Sequence, residues 1–423
     1  MTEDYLHYCW KYKLFDNKAL KTSEGEELEI INFGFHNHDS GPDFSQGKVK
    51  IGNTIWAGNI EIHLNSSDWM RHNHQKDKAY DSVILHVVYN HDQEIELTGG
   101  DTVPVLELKT RLDYTKYQEY EQFIFRSLPC ISQLSEVPNI IISSTLDAML
   151  VDRLKQKTEL LKRELEACQN NWNQVFFQQL AKSMGLKVNA NGMEEMSKNT
   201  SILLFDKLGN NKLAIESILF GQSGFLDENR EGEAYYSALK KEYEFHKTKN
   251  SLVSINKQSW KFSKMRPSNF PTLRLAQLAE LIAQNSSLFD LFIQKEITVE
   301  TIYENLNYSI ENGFWYTHYT FDTESKPKKK SIGKTMIDSI IINTIAPFMY
   351  VYGMHKDEKG LKEKALQLLE ELKPEDNKIT RLFGDEIKIE NAAHSQGLIN
   401  CYKEYCVPKK CLDCSIGIYL LKN

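Results

Sequence analysis

Two carboxylates and one imidazole are spaced so that they can form a single reactive centre. Asp43 precedes a predicted strand, and Glu61 follows 18 positions later in a segment that alternates apolar and polar residues. Alternation in a strand puts Glu61 and His63 on one polar face, roughly 7 Å apart. With Asp43 at the entry of the neighbouring strand, two carboxylates can hold one hard divalent cation such as Mg²⁺ or Mn²⁺. Such a cation activates water and stabilises charge that develops on a phosphate.

Plainer roles for the same residues stay open. Pro42 and Asp43 are also typical of a turn in which the aspartate caps the next segment. Glu61 and His63 are compatible with the solvent face of an edge strand. His86 has apolar neighbours on both sides, which favours a core histidine over a ligand.

Histidines are concentrated in one part of the chain. Seven of the 12 lie between residues 36 and 91. A zinc hydrolase that uses His36, His38, His72 or His74 is therefore an alternative, because imidazole is a common zinc ligand. The spacing of His72 and His74 is equally compatible with two solvated loop residues.

Cysteines cluster at the C-terminal end. Four of the seven fall within the last 23 residues, as Cys401, Cys406, Cys411 and Cys414. The two-residue spacing between Cys411 and Cys414 is typical of a metal knuckle, and the set predicts a bound zinc ion or an iron–sulfur cluster. In the alternative, Cys401 is a buried core thiol and only the other three cysteines belong to the metal site.

Two arginines flank the predicted start of a helix in the second half of the chain. Arg266 and Arg274 surround a Pro-containing entry, and both can bind phosphate near the N-terminus of that helix. Arginines in such loops also hold backbone carbonyls, which is the alternative interpretation.

The periodicity predicts an α+β protein. A first helix over residues 4–15 is followed by strands at Leu28–Phe33, Lys48–Ile51 and Thr54–Leu64, a short helix within residues 66–81, and a buried strand at Ser82–Tyr89. Helical spacing then continues from residue 135, interrupted by a polar break at 322–334. We therefore expect an α/β domain over 1–115, a helical domain over 135–395 and a Cys-rich tail over 396–423.

Composition limits the class of protein. The chain has 423 residues, 26% of them charged and 41% hydrophobic, with a net charge of −7. These values indicate a folded protein of more than one domain, and they exclude wrapping of nucleic acid by the whole surface. The N-terminus lacks a basic and apolar leader, and no run of about 18 apolar residues occurs. We expect a soluble, cytoplasmic protein with no membrane association.

The first domain resembles a nuclease superfamily. Pro42-Asp43, a hairpin, then Glu61-Ile62-His63, within an α-β-β-β-α-β order, is similar to the PD-(D/E)XK signature over about residues 1–110. The resemblance implies a restriction-endonuclease-like core and metal-dependent cleavage of DNA or RNA. His63 stands where that superfamily has lysine, so the residue that orients the attacking water differs in chemistry.

The whole chain also resembles a bacterial family described only as a domain of unknown function. The shared segments are Gly41–Phe44, Gly58–His63, Ser67–Trp69, His72–His74, Arg266–Pro271 and the cysteines at 406, 411 and 414. This resemblance implies that the N- and C-terminal regions form one functional unit.

Three functions follow as expectations. The first is a metal-dependent phosphodiesterase or nuclease, or a relative that binds nucleic acid, with Asp43 and Glu61 as metal ligands and His63 next to the water. The second is a non-catalytic module that binds nucleic acid or protein and carries a structural metal knuckle. The third is the zinc hydrolase.

Overall fold

The chain consists of two compact units. The computed structural model describes residues 1–37, 40–97, 100, 102–228, 230, 233–285 and 287–422. Unit 1 comprises Met1–Ile141 and Lys403–Asn423, and unit 2 comprises Ile142–Tyr402. Unit 1 contains a mixed β-sheet and unit 2 is mainly helical, which confirms the α+β class. The three predicted domain segments stay a prediction.

The strands and helices follow one another along the chain with these bounds. The strands are β1 Leu20–Lys21, β2 Glu27–Asn32, β3 Phe35–His36, β4 Phe44–Ile51, β5 Thr54–Asn65, β6 Val83–Asn90, β7 Val105–Glu107, β8 Ser309–Ile310 and β9 Lys330–Ser331. The helices are α1 Glu3–Tyr12, α2 Asp68–Arg71, α3 Tyr114–Phe125, α4 Asn139–Ala167, α5 Trp172–Met184, α6 Leu186–Lys198, α7 Leu203–Asp206, α8 Lys212–Gln222, α9 Ala234–Asn250, α10 Pro271–Gln284, α11 Leu288–Phe292, α12 Val299–Leu306, α13 Phe314–Thr317, α14 Lys334–Ile340, α15 Ala346–His355, α16 Lys359–Glu371, α17 Lys378–Phe383, α18 Ala392–Cys401 and α19 Ser415–Lys422.

The sheet of unit 1 has seven strands in the order β1-β2-β4-β5-β6-β7, with β3 paired to β4. Along β1, β2, β4 and β5 each strand is antiparallel to the next, whereas β5, β6 and β7 are parallel. The predicted first helix and the four predicted strands are thus confirmed as elements. β5 lies between an antiparallel and a parallel neighbour: its N-terminal half pairs with β4 as far as Ile60, and its C-terminal half pairs with β6 from Asn59 onward.

Helix α1 packs against this sheet. It begins behind Thr2, whose Oγ1 accepts the Tyr5 amide at 3.4 Å, as an N-cap does. Leu6 and Trp10, four residues apart, are fully buried in the core with residues of β5 and β6. The Trp10 indole also donates to the Phe33 carbonyl at 3.0 Å. These contacts fix the helix over the sheet.

Two glycines allow β5 to take its path. Gly52 turns the β4–β5 hairpin with φ of 55°, a left-handed conformation that costs glycine little. Gly58 lies beside the start of β6, and a Cβ there would be 2.4 Å from the Ser82 carbonyl oxygen. Any side chain at 58 would push these neighbouring segments apart.

The most apolar helical stretch of unit 2 is interrupted by a π-helical turn. Helices α14 and α15 are joined through Ile341–Ile345, and Pro347 follows without an N–H to donate. Lys157 Nζ instead donates to the Asn343 carbonyl at 3.3 Å. Within the described residues, Lys334–His355 is the one helix long and apolar enough to cross a membrane, but 78% of its most apolar window is buried, as in the core of a soluble protein. Cytoplasmic localisation stays a prediction.

One buried carboxylate of unit 2 predicts a pH-dependent stability. Glu216 on α8 is 3% exposed and accepts the Tyr235 hydroxyl at 2.8 Å, and burial raises its pKa to about 7. Because the folded state then binds the proton more tightly than the unfolded state, stability falls as pH rises from about 4.5 to about 7. We expect Glu216→Gln to be more stable than the wild type at pH 8 by up to about 3 kcal/mol.

Urea unfolding of both proteins at pH 5 and pH 8 tests this expectation. Glu195→Gln on α6, an exposed position, serves as the control. This substitution should leave the difference in unfolding free energy between pH 5 and pH 8 unchanged. An equal loss of stability in wild type and Glu216→Gln between pH 5 and pH 8 would contradict a raised pKa at Glu216.

Candidate metal centre

Asp43 and Glu61 contact each other's backbone across the β4–β5 pair. The Glu61 carboxylate accepts the Asp43 amide at 3.1 Å, and the Asp43 carboxylate accepts the Ile62 amide at 2.9 Å. The register that pairs Phe44 with Ile60 creates this exchange, because it brings the residue before β4 opposite the middle of β5. The structure therefore places the two predicted carboxylates side by side.

The two carboxylates differ in exposure. The Glu61 side chain is 5% exposed and that of Asp43 is 23% exposed. Burial raises the pKa of Glu61, the negative charge of Asp43 adds to this rise, and contact with His74 opposes it. Glu61 thus lies at the buried end of the site and Asp43 at its more exposed end.

Three histidines form a group beside Glu61: His63 is buried, His74 is half-buried and His72 is exposed. His63 Nε2 lies 3.5 Å from Glu61 Oε1 and 3.1 Å from His72 Nδ1. His74 Nε2 is buried, lies 3.3 Å from the same Glu61 oxygen and makes no hydrogen bond. One ligand atom each from His63, His72 and His74 lies within 4.8 Å of the others. Nitrogen and oxygen atoms at such separations can share one metal ion.

His86 on the neighbouring strand β6 orients the ring of His63. Nδ1 of His63 lies 2.9 Å from Nε2 of His86, a residue with no exposed surface. Burial, followed by the charges of His74 and His72, lowers the pKa of His63 to about 3. A neutral His63 that donates Nδ1–H to His86 leaves the Nε2 lone pair facing Glu61, which is the arrangement of a ligand held by an outer partner.

The loop between β5 and β6 positions the other two histidines. His74 stacks on Tyr80 with ring centroids 3.8 Å apart, and Tyr80 in turn contacts Trp69 edge-on at 5.8 Å. Trp69 is fully buried, so it anchors this loop on the sheet. The parallel crossover therefore folds back over the polar face of β5.

Helix α1 supplies two residues that the sequence pattern did not single out. His7 Nε2 lies 3.2 Å from Asp43 Oδ2. Burial raises the pKa of Glu3 to about 7, and the carboxylates of Asp43 and Glu61 add to that rise. The four-residue spacing of Glu3 and His7 puts both on one helix face. This spacing is the one sequence feature that could have indicated that they act together. The sequence pattern does not indicate that this face of α1 lies over β5.

The other predicted histidine ligands lie at the edge of the site or outside the described residues. His36 stacks on Phe44 at 4.8 Å and contacts His7 edge-on at 5.5 Å. His38 lies outside the described residues, so its predicted role stays a prediction.

The two predicted phosphate-binding arginines belong to unit 2. Arg274 is 4% exposed, and its guanidinium donates to Gln277 Oε1 and Asn269 Oδ1, both at 2.8 Å. Burial lowers its pKa to about 10. These bonds hold the Pro267–Asn269 turn against α10, so Arg274 fixes a loop. Arg266 is exposed, and phosphate contact by either arginine stays a prediction.

The predicted cysteine ligands divide between the two units. Cys401 ends α18 in unit 2 and is 4% exposed, whereas Cys406, Cys411 and Cys414 lie in unit 1. None of the seven cysteines is in a disulfide.

A comparison with protein-family models matches residues 3–378 to the family described as "Protein of unknown function (DUF2851)". The chain belongs to this family. No curated protein and no solved structure matches it. The DUF2851 match spans Asp43, Glu61, the histidines of the site and the helices of unit 2 up to α17, which confirms the predicted family. It ends before the cysteines of the tail.

The geometry predicts that His74 contributes to metal affinity. We expect His74→Ala to weaken Mn²⁺ binding by more than about 10-fold, because loss of an outer partner alone costs that much. The control is His355→Ala, an exposed histidine of unit 2. Free Mn²⁺ measured by electron paramagnetic resonance during titration gives the affinity, and equal binding by His74→Ala and wild type would show that His74 is no ligand.

Proposed function

We propose that this protein is a metal-dependent phosphodiesterase that acts on nucleic acid. The observation that carries the proposal is that the Glu61 carboxylate accepts the Asp43 amide and the Asp43 carboxylate accepts the Ile62 amide, with His63 beside Glu61. Two carboxylates and an imidazole around one point are the donor set needed to bind a divalent cation at a reacting phosphate.

The element order of unit 1 supports the proposal. Helix α1, the antiparallel strands β2, β4 and β5, helix α2 and the parallel strand β6 follow in sequence. PD-(D/E)XK nucleases are built on an α-β-β-β-α-β core, and they place one acidic residue before a strand and a second in the next strand. Asp43 and Glu61 occupy such positions. His63 takes the position of the lysine of that superfamily.

The donor set fits a cation that accepts both oxygen and nitrogen. Carboxylates alone suit Mg²⁺, whereas imidazoles favour Zn²⁺ and other transition metals, and Mn²⁺ binds to both kinds of ligand. Asp43 would hold such an ion from the exposed side, and Glu61, His63 and His74 would hold it from the buried side. When bound, the cation lowers the pKa of a water molecule and neutralises charge on the phosphate.

The remaining residues position these groups. His7 holds the Asp43 carboxylate at 3.2 Å, which restricts its rotation at the more exposed end of the site. His86 fixes the ring of His63. Tyr80 and Trp69 hold the loop that carries His74. Preorganisation of this kind keeps ligands within a fraction of an ångström of the required geometry.

A basic cleft beside the site supports an anionic polymer as substrate. A cavity of about 160 Å³ is lined by three lysines, two histidines and two aspartates: Lys11, Lys409, Lys410, His7, His36, Asp4 and Asp413. Tyr120 also lines it, so positive charge and an aromatic ring lie together, as single-stranded nucleic acids require. The net charge of the chain is −7, which makes this local concentration of lysines the place for phosphates to bind.

Substitution of the carboxylates tests the proposal. We expect Asp43→Asn and Glu61→Gln each to lower Mn²⁺-supported cleavage of DNA or RNA by at least about 100-fold, because each removes a charged ligand. The assay uses labelled single- and double-stranded DNA and RNA with Mn²⁺, Mg²⁺ or Zn²⁺. Glu29→Gln, an exposed carboxylate of β2, is the matched control.

Cleavage that persists in Asp43→Asn would place the reaction elsewhere. If wild-type protein binds nucleic acid but cleaves none with any of the three cations, the chain is a binding module and the proposal of catalysis is wrong.

The cleft generates a separate prediction about binding. We expect Lys11→Ala combined with Lys410→Ala to weaken binding of single-stranded nucleic acid and to reduce the slope of log affinity against log salt by about 1 to 2. Both lysines are exposed, as is the control Lys48 on β4. Fluorescence anisotropy at several salt concentrations measures both effects. An unchanged slope would exclude this cleft as the path of the backbone.

A zinc hydrolase is the second candidate, and the grouping of His63, His72 and His74 within 4.8 Å favours it. In that case the histidines are the main ligands, so His72→Ala would remove both bound zinc and activity. In the phosphodiesterase, His72→Ala would retain Mn²⁺-supported cleavage that Asp43→Asn abolishes. The two substitutions therefore separate the candidates.

A further inference from the structure

Three cysteines of the C-terminal segment lie on a tight turn that leads into α19. The Lys409 amide donates to the Cys406 carbonyl at 3.2 Å, and the Cys414 amide donates to the Cys411 carbonyl at 3.4 Å. Cys411 and Cys414 are 8% and 7% exposed, and Cys406 is half-buried. Lys409 has φ of 61°, which reverses the chain between the first two cysteines. The turn thus carries three cysteines within nine residues, two of them buried.

A second segment of unit 1 lies against this turn. Lys409 Nζ donates to the carbonyls of Arg126 and Ser127, the latter at 3.1 Å. Just before that segment, Tyr117 and Tyr120 of α3 share a buried cluster with Leu412. The start of the segment that leads to Cys130 is therefore held beside the turn that carries the tail cysteines.

This packing brings a fourth thiol to the turn. Burial and then the charges of Cys406, Cys414 and Cys411 raise the pKa of Cys130 to about 12. Cys406 and Cys414 also act on Cys411, so the four sulfur atoms form one electrostatically connected group. No spacing pattern in the sequence links Cys130 to the tail.

We infer that four thiols of unit 1 are the ligands of one metal centre: Cys130, Cys406, Cys411 and Cys414. Four cysteines on two chain segments, none of them in a disulfide and two of them buried, are the ligand set of a structural zinc ion or an iron–sulfur cluster. In this assignment Cys130 takes the place that the sequence pattern gave to Cys401. The centre ties the tail to the segment after α3, and it is independent of the proposed phosphodiesterase activity.

Cys401 is held by other contacts. Gly397 of the same helix packs so closely on α4 that a Cβ there would lie 2.1 Å from the Leu146 carbonyl oxygen. Asn400 donates to the Met149 carbonyl at 3.1 Å. The end of α18 is therefore part of the packing of unit 2, which favours the core-thiol interpretation of Cys401.

Metal analysis of full-length protein purified without oxygen tests the inference. We expect wild type to contain iron with acid-labile sulfide, or zinc, and Cys130→Ser to lose at least about nine-tenths of it, because three thiolates hold such a centre poorly. Cys401→Ser and Cys168→Ser, a half-buried thiol of unit 2, should retain the wild-type content. Retention in Cys130→Ser together with loss in Cys401→Ser would overturn the assignment, as would wild-type protein free of both metals.

Thiol labelling of wild-type protein covers the case in which Cys130→Ser does not fold. Mass spectrometry after alkylation should show Cys130, Cys406, Cys411 and Cys414 protected together, and all four labelled after removal of the metal by chelator. Cys168 should label equally in both states. Labelling of Cys130 at the same rate with and without the metal would show that it is no ligand.

Discussion

The buried carboxylate of Glu61 is the feature on which the site depends. Burial of an ionised carboxylate costs several kcal/mol unless hydrogen bonds or charges compensate. In this protein the Asp43 amide donates to it and two imidazoles lie within 3.5 Å. The burial raises the pKa of Glu61, so a partner of positive charge is favoured at this point. A divalent cation between Glu61, Asp43 and the histidines would provide that charge.

The surrounding structure serves to hold this polar group inside an apolar sheet. The β4–β5 register places Asp43 opposite β5, and α1 covers the same region with His7. The parallel crossover between β5 and β6 contributes His72 and His74. Each of these elements is fixed by apolar packing at some distance from the site, through Leu6, Trp10 and Trp69. The core therefore determines where the ligands point.

Much of unit 1 could be predicted from the sequence, because residues 59–65 of β5 alternate strictly between polar and apolar side chains and α1 has a clear cap and apolar face. The same alternation put Glu61 and His63 on one face, and both lie at the site. His7 and Cys130 were missed for one physical reason: tertiary packing brings distant segments together, and no local periodicity records it. The burial of Arg274 was missed likewise, since residue type and spacing do not tell which side of α10 faces the core.

Anomalous diffraction from crystals grown with Mn²⁺ tests the metal centre most directly. The proposal predicts one manganese peak bonded to the carboxylate of Glu61 and to Nε2 of His63, with Asp43 turned toward it. A peak at other residues, or an unchanged Glu61 carboxylate bonded only to the Asp43 amide at saturating Mn²⁺, would contradict a catalytic metal centre at this position.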